Sequence, residues 1–149
     1  MDYNTLFMWS IFQILRFNPL NLNYLKSQIY AAEFVKALVV NFNTESNQKS
    51  DFWVKTSIAF LTAIICSLKN IIRSITITHL VSIITGFSYR DTMAMLETDD
   101  QCSKIIRSLL TARDERAGNQ LSRVVSSLQI NFATLNAPNL TYVLSYWNV

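Results

Sequence analysis

At 149 residues, with 50% hydrophobic and 15% charged side chains, the chain is long enough to bury a core of its own and too apolar to be disordered. The usual charged share is about 25%, so part of the surface is expected to lie under something else. A net charge of +3 tolerates an anionic partner without establishing nucleic-acid binding, and two glycines, against about ten usual at this length, leave little material for phosphate-wrapping loops.

The chain opens on an apolar stretch, LFMWSIFQIL at residues 6–15. Asp2 stands where a secretory signal carries lysine or arginine, and no small-residue cleavage site follows. The stretch reads as a buried strand or helix, with a membrane-surface anchor as the alternative. Pro19 then breaks the chain at residues 17–21 and pushes Asn18 toward an extended conformation. From about residue 23 to residue 40, Leu25, Ile29, Ala32, Val35 and Val39 recur at helical spacing and predict an amphipathic helix. Residues 41–50 are polar and rich in asparagine and serine, which predicts a loop.

DFWVKTSIAFLTAIICSLKN, residues 51–70, predicts a helix buried on nearly all sides. Asp51 offers an N-cap oxygen, and Lys69 with Asn70 suits the negative C-terminal end. The uncharged run from Thr56 to Leu68 is 13 residues, against the roughly 20 needed to cross hydrocarbon, so a core helix is expected. Thr78 or a neighbour can cap a short helix over residues 80–85, ended by Gly86 in a left-handed conformation. Ser88 and Asp91 have capping-box spacing for a helix through Glu97, and Asp99 with Asp100 opens another to about Leu110. The last helix is predicted over residues 114–135 with Leu121, Val124 or Val125, Leu128, Phe132 and Leu135 on its apolar face. Asn136, Ala137 and Pro138 stop it, and residues 142–144 read as a short strand or apolar tail. Leu61, Ile64, Leu68, Leu121, Leu128 and Phe132 are expected in one core.

Catalytic chemistry is sparse. Neither Gly86 nor Gly118 lies in a GxxxxGK context, and His79, the single histidine, reads as structural. Cys66 and Cys102 form no CxxC pair and are expected as reduced thiols; Asp99 and Asp100 read as helix capping before metal binding. No catalytic residue, cofactor or metal ligand is therefore assigned. One polar constellation stands out: Arg116, Gln120 and Arg123 follow at spacings of four and three, with Arg113 just before. They define a basic face opposite the leucines that suits phosphate or an acidic partner; a solvated face, with charge offset by Asp114 and Glu115, is the alternative.

RFNPLN at residues 16–21, YLKSQIYAAEFVKALVVNFN at 24–43, the 51–70 helix and QLSRVVSSLQINFATLNAPNLTYVLS at 120–145 occur in an order that resembles the helical domain of TraG-type conjugative coupling proteins, especially those of Bacteroides-like mobile elements. The resemblance implies a helical domain inserted in a homo-hexameric, ATP-hydrolysing motor at the cytoplasmic side of a type IV secretion channel, facing a relaxosome protein or DNA. The family's nucleotide motifs belong before residue 16 and after residue 145, and the chain has neither, which implies a non-catalytic fragment or gene remnant. The expectation is an all-α, multi-helix, bundle-like domain with short extended ends: an apolar segment at 1–15, the helical domain at 16–145 and a tail at 146–149. Its role would be recognition of the relaxosome or DNA in conjugative transfer, in the cytoplasm near the inner membrane. The alternative is a small helical interaction or membrane-associated protein unrelated to conjugation.

Overall fold

A computed structural model describes residues 20, 28–43, 49–112, 114–115 and 118–134, and over these the protein is all-α. Seven helices follow one another among the described residues: α1 (Gln28–Phe42), α2 (Asp51–Ile71), α3 (Ile77–Gly86), α4 (Tyr89–Glu97), α5 (Asp100–Ile105), α6 (Arg107–Ala112) and α7 (Gly118–Thr134). The expected extended ends, the apolar segment at 6–15, Leu25 and Leu135 lie outside the described residues.

The hub is α2, which packs against α1, α4, α5 and α7, while α3 packs on α7. From Thr56 to Lys69 no α2 residue is exposed. By length and composition α2 could cross a membrane, with a mean hydropathy of 1.4 in its most apolar stretch, but a soluble core helix passes the same test and 61% of that stretch is buried inside the fold. Leu61, Ile64 and Leu68 share one buried cluster with Leu121, Leu128 and Phe132 of α7, as the apolar spacing predicts. Val124 and Val125 are both buried, so the inward stripe of α7 is wider than a single row. Phe42 and Phe132 meet edge to face at 5.3 Å between ring centroids, tying the end of α1 to α7. Gln129 Nε2 donates to the Ile84 carbonyl at 3.0 Å, satisfying an acceptor in the last turn of α3. Leu20, in a turn, is fully buried in the same core.

Several local expectations change. The inward stripe of α1 is Ala31, Val35 and Val39, whereas Ile29 is 72% exposed and Ala32 only partly buried. The observed stripe advances by four, and Ala31 lacks the bulk that would hold α1 away from its neighbour. Ser50, not Asp51, caps α2: its backbone is extended and its Oγ accepts from the Trp53 amide at 3.2 Å. Asp51 is already helical, where its charge complements the dipole. Thr76 rather than Thr78 precedes α3, its amide donating to His79 Nδ1 at 3.0 Å, and the histidine is thus a structural end-piece. Gly86 is the last residue of α3, without a left-handed backbone, and Phe87 continues in an extended conformation.

The helix expected from Asp99 to Leu110 is two helices. Ile106 leaves helical geometry at φ −95° and ψ 10°, and the amides of Leu109 and Leu110 both turn to its carbonyl, at 2.8 and 2.9 Å. Asp114 and Glu115 carry π-helical geometry, and the last described α-helix, α7, is regular from Gly118 to Thr134. By contrast, Ser88 caps α4 as its spacing predicts: Oγ accepts from the Asp91 amide at 3.1 Å and donates to the Asp91 carboxylate at 2.6 Å. That helix ends at Glu97 as expected.

Candidate partner-binding groove

Residues at the start of α2 and along α7 line one open groove of about 430 Å³: Lys49, Ser50, Phe52 and Trp53 on one side, Gln120, Arg123, Val124 and Ser127 on the other. Packing of α2 on α7 creates it, and it therefore joins residues separated by about seventy positions in sequence. Gln120 and Arg123 are exposed while Leu121 and Val124 are buried, which follows from helical phase. These two members of the expected basic face do come together. Arg113 and Arg116, the other two, lie outside the described residues.

The opposite wall is built from the cap of α2. The Lys49 amide donates to Asn43 Oδ1 at 2.6 Å, which ties the approach of the chain to the end of α1. Lys49 Nζ stands 5.6 Å from the centre of the Trp53 ring, within cation–π range, so its charge is placed at the groove instead of ranging through solvent. Trp53 is 6% exposed and its Nε1 has no hydrogen-bond partner among the described residues. Phe52, next to it, is 41% exposed and presents apolar surface at the rim. The groove thus offers one ammonium, one guanidinium, two hydroxyls and an amide around an aromatic and aliphatic wall. It can hold anions by charge and a partner's apolar side chain by contact. Lys49, Phe52 and Trp53 were not in the sequence-based face, because only tertiary packing sets them beside Arg123.

The remaining chemical candidates occupy structural positions. Asp99 Oδ1 accepts from the amides of Gln101 at 2.8 Å and Cys102 at 3.1 Å, and Oδ2 accepts from Asn70 Nδ2 at 2.8 Å. The Cys102 amide bond, with help from Asn70, holds its carboxyl below the usual range. Asp100 instead pairs with Lys104 at 3.1 Å on the exposed side of α5. Both thiols are free. Cys102 is fully buried with Sγ 3.5 Å from the Ala63 carbonyl, and burial, reinforced by the Asp99 charge, pushes its thiol up to about 12. Cys66 is half-buried and also raised, chiefly by burial. Among the described residues no group of three or more His, Cys, Asp or Glu side chains is gathered as a metal site requires. No protein-family model, curated protein or solved structure matches the chain.

Proposed function

We propose that the protein is a non-catalytic helical recognition module that binds an anionic partner at the groove between α2 and α7. The observation that supports this reading is the convergence of Lys49 and Arg123, cations from distant parts of the chain, on one open surface with an exposed aromatic residue. His79 and Asp99 are engaged in capping, Cys102 in buried packing and Asp100 in an exposed ion pair with Lys104, which suits a binding role better than a chemical one.

The resemblance in sequence extends the proposal to a biological setting: the substrate-facing helical module of a conjugation coupling protein, with a relaxosome protein or DNA as the partner. That extension draws on the ordered motifs alone. A helical interaction protein unrelated to conjugation is the second reading, and the exposed Ile29, Tyr30 and Val40 of α1 favour it. Relaxase or secretion-channel genes beside the coding sequence would support the first setting, and their absence the second.

Binding itself is tested with poly-glutamate and oligothymidylate as anionic probes, measured by fluorescence anisotropy at two salt concentrations. The wild-type chain is expected to bind at least one of them in a salt-sensitive manner. The double substitution Lys49→Gln with Arg123→Gln is expected to abolish that binding while leaving the helical circular-dichroism spectrum unchanged. Equal binding by the wild type and the double variant would place the partner elsewhere.

A further inference from the structure

We infer that the occupant of the groove is a short acidic peptide segment of another protein, with an aliphatic or aromatic side chain set between its carboxylates. The inference rests on the groove being the partner site and concerns which anion it takes.

Nucleic acid and acidic peptide make different demands on the same surface. A strand of nucleic acid gains affinity from a continuous track of cations, each neutralising a phosphate, and from aromatic faces on which successive bases stack. Among the described residues the groove supplies two cations, Lys49 and Arg123, and Asp51 follows directly on the Ser50 cap. Trp53 is 6% exposed with its ring already facing Lys49, so it offers little free surface for stacking. Phe52, 41% exposed, leaves one platform rather than a series. This is a poor track for a strand.

The same features fit a peptide. Two cations on opposite walls match two carboxylates a few residues apart, and the guanidinium of Arg123 can take one of them in a bidentate manner. At the rim, Phe52, being 41% exposed, gives an apolar contact for one anchoring side chain, the usual source of affinity in a small interface. Gln120 and Ser127 add an amide and a hydroxyl that can pair with peptide main-chain groups.

The test uses the full chain and three labelled probes: a peptide with phenylalanine between acidic pairs, the same peptide with glycine in that place, and oligothymidylate. The phenylalanine peptide is expected to bind about tenfold more tightly than the glycine peptide, equivalent to one well-buried anchor, and oligothymidylate more weakly than either. Phe52→Ala is expected to erase the difference between the two peptides, while Arg123→Gln weakens both. Tighter binding of oligothymidylate, lost in Arg123→Gln, would overturn the peptide inference and leave the anionic groove standing. Equal affinity for the two peptides, or an unchanged difference in Phe52→Ala, would overturn the anchor and with it this inference. Failure of all three probes would overturn both the inference and the groove.

Discussion

Asn70, in the last turn of α2, donates from Nδ2 to Asp99 Oδ2 at 2.8 Å, so the residue that caps α5 is also held by the central helix. Asp99 thereby satisfies donors from two elements at once. The Asp99→Ala variant is expected to lose both attachments and to unfold at a lower temperature than wild type, whereas Asp100→Ala, which removes one exposed ion pair, should change little. Thermal denaturation of the two variants compares them directly.

The Asp99 carboxyl lies below its usual range in the fold because the Cys102 amide and Asn70 bind its charged form. Its folded value is depressed, so its stabilising contribution is complete above the unfolded value of about 3.9 and disappears as pH falls through the folded value. Denaturation midpoints should drop on acidification below about pH 4, and the Asp99→Asn variant should show a shallower drop. Parallel curves for the two proteins would remove Asp99 as the titrating group.

The thiols carry the opposite sign. Cys102 is pushed up to about 12, above the ordinary thiol value near 8.5, chiefly by burial. The fold therefore favours the protonated thiol, and stability is expected to fall as pH rises past about 8.5, where the unfolded chain begins to ionise, until the folded value is reached. Cys102→Ala should flatten that alkaline loss. In the native protein Cys102 should resist alkylation, and mass spectrometry should detect rapid modification only after denaturant is added.

Packing predictions centre on α7. Leu128 and Phe132 are both fully buried, and replacing either by alanine is expected to cost about 2–5 kcal/mol. Phe132→Leu keeps most of the volume but loses the edge-to-face contact with Phe42, worth about 1 kcal/mol. Urea denaturation should therefore rank Phe132→Leu between wild type and Phe132→Ala.

The elements that sequence made legible are those fixed by local chemistry. Ser88 and Asp91 stand three apart and meet through both backbone and side chain, so the start of α4 is written in two residues. The stripe from Leu121 to Phe132 repeats over about three turns and permits one inward face. Ser50 and Asp51 are both good caps, and only the extended backbone of Ser50 decides between them. The break at Ile106 has no glycine or proline to announce it; the residue is fully buried and leaves helical geometry within a packed environment. The groove was half legible for the same reason. Gln120 and Arg123 share a face by helical spacing, whereas Lys49 and Phe52 join them only when α2 packs on α7.

The central claim is that an anionic partner sits between Lys49 and Arg123, and a two-dimensional NMR titration of the isotopically labelled full chain with poly-glutamate tests it most directly. The account predicts that the shifted resonances form one contiguous set, with the amides of Lys49 to Trp53 and Gln120 to Ser127 and the Trp53 indole N–H moving together. A response centred instead on Gln28, Gln101 and Lys104, which line a separate polar depression beside α5, with the Trp53 indole unmoved, would contradict it.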